Sequence, residues 1–246
     1  MNIVIFSGTT EGRELSAALA KRGVAVTVCV ATPYGAEEQG EIPSVTVLTG
    51  RRSGAEKLEL LQGAALCVDA THPYAMGITE SVRAACAAAN VPYRRLLRSA
   101  GDTADAVVVA DAAEAAEHLK NTEGNILLTT GAKELPAFAA LPRERLYARV
   151  LPSREGIAAC EAAGIPHRNI IAMQGPFSEE LNAALLRQYS ISYLVTKDGG
   201  AAGGYPEKLR AARACSVRVI VLRRPEETGE TMETILQEIE ELGRCK

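Results

Sequence analysis

The 246-residue sequence lacks several features that mark particular classes of protein. It has no apolar run near the roughly 20 residues that a bilayer-spanning helix needs. It also has no excess of positive charge, since 27 Lys and Arg residues stand against 30 Asp and Glu residues and the net charge is −3. A chain that binds nucleic acid or an anionic membrane through its overall field would be basic. We therefore expect neither a membrane nor a nucleic acid as partner.

Metal-ligand and disulfide patterns are also missing. The six cysteines include no Cys-x-x-Cys pair and are scattered through apolar segments, which favours buried, reduced thiols. No histidine has a second histidine or cysteine at the spacing of a zinc site, so we expect no protein-bound metal. The chain starts with a strand-like segment and not with a basic and then apolar signal segment, which favours a cytoplasmic protein. A monomer and a small homo-oligomer both remain open.

The sequence does contain a regular alternation of short apolar runs and amphipathic segments. Runs such as 126–128 and 217–222 are apolar on both faces, as in a parallel sheet covered by helices on both sides. The alternation predicts an α/β fold. We predict strands at 2–6, 24–30, 45–48, 64–69, 93–97, 106–109, 125–130, 145–150, 169–172, 192–196 and 217–222. We predict helices at 11–22, 75–89, 111–120, 154–163, 178–188, 205–213 and 228–242.

The number of predicted strands favours two sheets of five or six strands over a single open sheet. A polar break, Ser99-Ala100-Gly101-Asp102-Thr103, lies near the middle of the chain. We therefore predict two Rossmann-like domains, residues 1–100 and 101–246, with mainly parallel sheets flanked by helices. We expect an active-site cleft between them, with a nucleotide site in the first domain.

The first predicted strand runs into the segment 7–13 (SGTTEGR), which begins a helix. A glycine at the end of a strand lets a phosphate approach the backbone, and the helix N-terminus offers N–H groups and a positive dipole end. The segment matches neither the Gly-x-Gly-x-x-Gly fingerprint, in which Thr10 would be glycine, nor a P-loop. A well-capped strand–helix turn is the alternative interpretation to a nucleotide site.

The ends of the next two strands leave the cofactor type open. No Asp or Glu follows the second strand to bind a ribose, and the small Thr32 tolerates a 2′-phosphate there. Arg51 and Arg52 follow the third strand and either reach an adenosine phosphate or form a solvated turn, which is the favoured interpretation. NADH and NADPH are therefore both candidates.

The segment 69–75 (DATHPYA) follows a buried-looking strand and precedes a helix. Its His72 is a candidate proton donor or ligand contact, and the alternative is a residue held extended by the following proline at a helix start. Asp69 either bonds a ribose hydroxyl or caps the turn. We expect the turn as a unit to contact the cofactor or the substrate.

The strand ends of the second half, at 129–133, 173–178 and 196–200, are rich in glycine and polar residues. Ligands of open α/β sheets bind outside the carboxyl ends of the strands. Basic side chains at these ends would give the cleft a local positive charge suited to a polyanionic small ligand. Taken singly, each of them is more often a solvated surface charge.

Together these motifs resemble the precorrin-6A reductase family, including its cobalt-precorrin-6A form. The matching segments lie in the same order along nearly the whole chain, at 8–13, 69–75, 93–98, 130–133, 149–152, 173–178, 196–198, 203–208 and 223–225. Two positions depart from the family's pattern, Ser99 in place of a proline and Gly199 in place of a serine. These departures leave a loop shape and one substrate contact in doubt.

The resemblance implies a two-domain reductase of cobalamin biosynthesis. It would reduce one double bond of (cobalt-)precorrin-6A, giving (cobalt-)precorrin-6B, with hydride from NADPH or NADH, and residues 101–246 would contribute to cofactor and tetrapyrrole binding. Any cobalt would arrive inside the substrate. Two alternatives remain open: another NAD(P)-dependent reductase acting on a small carbonyl substrate, and a non-enzymatic dinucleotide-sensing module.

Candidate site residues fall into three groups. The cofactor is expected to contact Gly8, Thr9, Thr10, Glu11, Gly12, Arg13, Thr32, Asp69 and Thr71. The substrate is expected to contact Arg95, Arg98, Lys133, Arg149, Gln174, Lys197, Asp198 and Lys208. The candidate catalytic residues are His72, Tyr74 and Lys197, each able to supply a proton, as a bound water also could.

Overall fold

A computed structural model describes residues 1–97, 106–200 and 203–244. The strands in these ranges are β1 Asn2–Phe6, β2 Ala25–Val30, β3 Val45–Thr49, β4 Leu66–Asp69, β5 Tyr93–Arg95, β6 Ala106–Val109, β7 Asn125–Thr129, β8 Leu146–Val150, β9 Ile170–Ala172, β10 Ile191–Lys197 and β11 Arg218–Leu222. The α-helices are α1 Thr10–Lys21, α2 Pro33–Gln39, α3 Gly54–Leu61, α4 Met76–Ala89, α5 Ala112–Leu119, α6 Arg154–Ala162, α7 Glu179–Gln188, α8 Tyr205–Ala214 and α9 Met232–Arg244. None of the helices in the described ranges is long and apolar enough to cross a membrane.

The chain divides into two compact units, which are Met1–Arg98 with Pro225–Lys246, and Ser99–Arg224. Each unit contains one sheet, of five strands in the first and six in the second. The pairings between named strands are parallel in both sheets. The α/β fold with two Rossmann-like sheets is therefore confirmed.

In the first unit the strand order is β3-β2-β1-β4-β5. The central strand β1 alternates its side chains between two cores. Ile3 and Ile5 pack into the core that contains α1 and α9, and Val4 and Phe6 pack into the core that contains α3 and α4. Because the chain moves outward from β1 through β2 to β3 and then returns to β4, the carboxyl ends of β1 and β4 flank a topological switch point. Ligands of open α/β sheets bind at such a point.

In the second unit the strand order is β6-β11-β10-β7-β8-β9. From β7 the chain moves outward through β8 to β9, and from β10 it moves the other way to β11. The switch point of this sheet therefore lies between the carboxyl ends of β7 and β10. One core holds α5, α6 and the 3₁₀ segment Ala132–Phe138, and the other holds α7 and α8.

The C-terminal segment differs from the expectation that residues 101–246 form one domain. Pro225–Lys246 groups with the first unit. The backbone N–H of Glu230 donates to the carbonyl of Arg95 at 2.8 Å, and the N–H of Leu97 donates to the carbonyl of Glu230 at 2.9 Å. This segment therefore adds a parallel bridge next to β5.

Helix α9 shows why the segment belongs there. Ile235 and Ile239 are fully buried in the same core as Leu15 and Leu19 of α1. A helix with an apolar stripe must pack that stripe against a hydrophobic core. The stripe itself does not specify which of the two units provides the core. The placement of α9 is thus a property of the folded chain and not of the local pattern.

Two short helices, α2 and α3, were not among the predicted elements. Helix α3 begins with a complete capping box between Ser53 and Glu56, so the local signal was present. Helix α2 begins with Thr32 as N-cap and has Pro33 in its first turn. Because Gly35 follows so closely, the same residues also fit a loop.

Candidate active site

Thr9 is the N-cap of α1, at the switch point of the first unit. Its Oγ1 accepts a hydrogen bond from the backbone N–H of Gly12 at 3.2 Å. The same hydroxyl donates to the carbonyl oxygen of Ala70 at 2.8 Å. One side chain therefore both caps the helix and ties its N-terminus to the turn that follows β4.

Two glycines shape the turn between β1 and α1. Gly8 is exposed, has a φ of +131°, and a Cβ added to it would meet nothing within 4 Å. A Cβ added to Gly12 would collide with Ser7 Oγ and lie 3.0 Å from the Cβ of Ala70. Gly8 thus leaves open space beside the helix N-terminus, and Gly12 lets that helix pack closely on both strand ends.

Asp69 ends β4 and has no exposure to solvent. Its Oδ1 accepts from the backbone N–H of Thr71 at 3.0 Å and from the Thr71 hydroxyl at 2.7 Å. Its Oδ2 accepts from the hydroxyl of Tyr93 at 3.0 Å. Burial raises the pKa of Tyr93, and the negative charge of Asp69 raises that pKa further. Of the two roles considered for Asp69, this geometry provides the turn cap.

Arg95 lies on β5 next to Asp69, and its side chain is only 3% exposed. Its Nη1 donates to Asp69 Oδ1 at 2.6 Å and to Thr71 Oγ1 at 3.0 Å. Its Nη2 donates to the carbonyl of Thr71 at 2.9 Å and to Glu227 Oε1 at 2.6 Å, and its Nε donates to the same oxygen at 2.9 Å. The five N–H groups of the guanidinium are thereby used. Arg95 is expected to contact the substrate, and in the structure its guanidinium is bound by two carboxylates of the protein itself, Asp69 and Glu227.

His72 and Tyr74 lie together on the outer side of this turn. Their ring centroids are 5.6 Å apart, and the backbone N–H of Tyr74 donates to His72 Nδ1 at 3.4 Å. His72 is exposed and Tyr74 is half-buried. Thr32 lies apart from them at the end of β2, where its hydroxyl accepts from the N–H of Gly35 and caps α2.

The switch point of the second unit carries Lys197 and Asp198 at the end of β10. Lys197 Nζ lies 2.6 Å from Glu134 Oε1, on the segment that follows β7. Asp198 is buried, and its Oδ1 accepts from the N–H of Gly200 at 2.9 Å. Thr130 directly follows β7, and its buried hydroxyl has no hydrogen-bond partner among the described residues.

Arg149 is a buried cation close to the end of β8. It is 6% exposed, its Nη1 donates to Asn182 Oδ1 at 2.8 Å, and its guanidinium carbon lies 4.1 Å from the centroid of the Phe177 ring. Within the described part of the chain, no carboxylate lies at ion-pair distance from it. Burial lowers the pKa of Arg149 to about 10.

The pKa of Lys208, on α8, is affected by the charge of Arg149. Burial lowers the pKa of Lys208 to about 8, the positive charge of Arg149 lowers it further, and the carboxylates of Glu207 and Asp198 act in the opposite direction. Arg149, Lys208 and Asp198 therefore form one cluster with an excess of positive charge. We call these three residues the basic cluster.

The remaining predicted residues are spread over the turns. Lys133 and Gln174 are exposed after β7 and β9, and Arg98 lies outside the described residues. Sequence reasoning did not identify Glu227, Glu134 or Asn182 as partners of site residues. Each partner is distant in sequence from the cation that it contacts, so no spacing pattern could reveal it. Within the described ranges, no group of three or more His, Cys, Asp or Glu side chains is placed to hold a metal ion.

The two sheets, each with polar residues at its switch point, define the class of Rossmann-like proteins that bind ligands at the carboxyl ends of parallel strands. Residues 2–242 match the model of the family described as "Precorrin-6x reductase CbiJ/CobK". The chain belongs to this family, and it is an oxidoreductase of cobalamin biosynthesis.

Individual relatives agree with that assignment. A cobalt-precorrin-6A reductase of Priestia megaterium is 34% identical over 245 residues, which cover 96% of each chain. A precorrin-6A reductase of Rhodococcus erythropolis is 34% identical over 230 residues, which cover 91% of this chain and 89% of that one. A solved structure described as CobK precorrin-6A reductase matches with a TM-score of 0.79 at 25% identity and covers 98% of this chain and 96% of that chain. These matches favour the reductase of precorrin-6A over the small-carbonyl reductase and the sensing module.

Replacing Arg95 with Met should strongly destabilise the first unit, because it leaves Asp69 and Glu227 as buried carboxylates without a counter-charge. We expect a loss of about 3–5 kcal/mol in the free energy of unfolding, measured by urea denaturation. The matched control is Arg94→Met, which removes a more exposed ion pair with Glu238 and should cost less than about 1 kcal/mol. Equal losses in the two variants would contradict a central role for Arg95.

Proposed function

We propose that the protein uses NADH or NADPH to reduce one macrocycle double bond of (cobalt-)precorrin-6A, giving (cobalt-)precorrin-6B. The observation that carries the cofactor part of the proposal is the bond from Thr9 Oγ1 to the carbonyl of Ala70. It fixes the N-terminus of α1 against the 69–75 turn at the switch point of a parallel sheet. Family membership supports the substrate part.

The first unit has room and donors for the phosphates of a dinucleotide. The open space beside Gly8 lies next to the first turn of α1, whose N–H groups and dipole favour an anion. We propose that residues 8–13, Thr32 and Thr71 contact the cofactor. Asp69 contributes through Thr71, whose hydroxyl and N–H it holds. A bound nicotinamide nucleotide supplies the hydride, and the protein orients it against the substrate.

The basic cluster of the second unit suits a substrate with many carboxylates. A buried guanidinium without a carboxylate partner is costly unless an anion completes it. The planar guanidinium of Arg149 can form paired, charge-assisted hydrogen bonds to a carboxylate, and Lys208 adds a second positive charge. We propose that Lys133, Gln174 and Lys197 contact other parts of the tetrapyrrole. A cobalt ion, where present, belongs to the substrate.

The protein must also supply a proton to the carbon next to the one that accepts the hydride. His72 is one proposed donor, because an imidazole on an exposed turn can take up a proton from water and pass it on as the imidazolium. Tyr74 and Lys197 are the other side-chain candidates, and Lys197 is held in place by Glu134.

The direct test is an assay of NADH and NADPH oxidation with metal-free and with cobalt-loaded precorrin-6A. The oxidation is measured as the loss of nicotinamide absorbance. We expect turnover with at least one of the four combinations and precorrin-6B as product. Purified, folded protein that oxidises neither cofactor with either substrate would refute the proposal. The preferred combination identifies the cofactor and the state of the substrate.

Gly12→Ala should weaken cofactor binding. The new Cβ would press on Ser7 and Ala70 and move the N-terminus of α1 away from the strand ends. We expect the KM for the cofactor to rise by about tenfold with a smaller change in kcat, because binding is altered more than chemistry. Gly54→Ala is the matched control, since an added Cβ there meets nothing within 4 Å at the start of α3. A Gly12→Ala enzyme with the KM of the wild type would argue against this cofactor site.

The pH dependence of substrate capture should reflect Lys208. Its pKa of about 8 means that the ammonium is charged below pH 8 and neutral above it. We expect kcat/KM for the tetrapyrrole to fall about five- to tenfold between pH 7 and pH 9. In Lys208→Arg the charge persists, so this decline should move to higher pH, whereas exposed Lys120→Met should leave it unchanged. Identical profiles for the wild type and Lys208→Arg would exclude Lys208 as the titrating group.

A further inference from the structure

We infer that Glu227, in the segment that follows β11, is a positioning residue for the 69–75 turn of the first unit, which we call the cofactor turn. The inference rests on the proposed cofactor site and adds a residue that does not itself reach the ligand. Its basis is a continuous set of short contacts from Glu227 to the N-cap of α1.

The segment around Glu227 holds Arg95 by both its side chain and its backbone. Glu227 Oε1 accepts from Arg95 Nε at 2.9 Å and from Nη2 at 2.6 Å, and the Glu227 side chain is 9% exposed. Gly229 lies so close that an added Cβ would collide with the carbonyl oxygen of Arg95 and lie 2.9 Å from its Cβ. The N–H of Glu230 donates to that same carbonyl. Arg95 is therefore fixed from the side opposite the cofactor turn.

Arg95 in turn holds the backbone of the cofactor turn. Its Nη2 donates to the carbonyl of Thr71, and its Nη1 donates to Asp69 and to the hydroxyl of Thr71. The residue between these two, Ala70, accepts from Thr9 at the start of α1. The path from Glu227 to the proposed phosphate site thus runs through Arg95, the 69–71 backbone and Thr9.

The charges explain why Glu227 matters for position. Arg95 has one positive charge and lies between two carboxylates, since Asp69 accepts from its Nη1 and Glu227 accepts from its Nε and Nη2. If Glu227 becomes a neutral amide, the attraction toward Asp69 and Thr71 is no longer balanced. The guanidinium then moves toward the turn, and the carbonyls of Ala70 and Thr71 move with it.

Fluorescence titration with NADH and with NADPH tests the inference, and the absence of tryptophan from the sequence keeps the protein background low. Glu227→Gln should bind the preferred cofactor about 3- to 30-fold more weakly than the wild type. The matched control is Glu226→Gln, which removes the same charge from an exposed neighbour and should stay within about twofold of the wild type. In turnover, Glu227→Gln should raise the KM for the cofactor more than it lowers kcat.

Hydrogen exchange separates positioning from general stability. In Glu227→Gln we expect faster exchange in 7–13 and 69–75 and unchanged exchange in the sheet of the second unit. A variant that has lower thermal stability but wild-type cofactor affinity would overturn the inference and leave Glu227 with a structural role alone. If Glu227→Gln does not fold, Glu227→Asp keeps the charge but shortens the side chain, and wild-type affinity and exchange in that variant would also overturn it.

The wild-type titration distinguishes this inference from the proposal on which it rests. If the folded wild type binds neither NADH nor NADPH, the proposed cofactor site is wrong. If the wild type binds one of them and Glu227→Gln binds it equally well, the cofactor site stands and only the positioning role of Glu227 is wrong.

Discussion

The buried carboxylate of Asp69 is the constraint on which the carboxyl-end edge of the first unit's sheet depends. A carboxylate without exposure is stable only where hydrogen-bond donors and a counter-charge replace water. Thr71, Tyr93 and Arg95 supply them, and the bonds that satisfy the charge also fix the backbone after β4. Since Ala70 of that backbone accepts from Thr9, the position of α1 follows from the same constraint. The turn is held in place because Asp69, Thr71 and Arg95 hydrogen-bond to one another.

The second unit contains a buried charge, that of Arg149, that is not matched by an opposite charge of a described residue. Arg149 has an aromatic face and one amide oxygen as neighbours, and no carboxylate at ion-pair distance in the part of the chain that the structure describes. The neighbouring Lys208 makes the local excess of positive charge larger, and its pKa is lowered mainly by burial and further by the charge of Arg149. Such an arrangement costs free energy in the isolated protein, and an anionic ligand would recover that cost. At Asp69 the first unit therefore neutralises a buried charge with its own residues, whereas at Arg149 the second unit leaves a buried charge without a carboxylate partner among the described residues.

The sequence was sufficient to predict the parallel strands, because apolar runs flanked by amphipathic segments determine them. The sequence also places glycine and polar residues at strand ends, as in 7–13 and 69–75, where we propose that ligands bind. It was not sufficient to predict the role of Arg95 or the location of α9. Arg95 lies 132 positions before its partner Glu227. Helix α9 packs on the core of the first sheet, although the last strand of that sheet, β5, lies far earlier in the chain. Local sequence patterns indicate whether a segment is a helix or a strand and which of its faces is buried. Which distant residues or elements contact each other is decided only by packing in the folded chain.

Arg95 and Arg149 show what this difference means for assigning function to charged residues. From the sequence, both are arginines within a predicted strand, and both are candidates to bind a polyanion. In the fold, both are buried, yet Arg95 is matched by two carboxylates and Arg149 by none among the described residues. A matched guanidinium gains little from a further anion, because it would first have to give up bonds that it already makes. An unmatched one gains a full set of charge-assisted bonds. We therefore expect substrate recognition in the second unit to depend on Arg149 and Lys208 more than on the number of basic side chains at its edge.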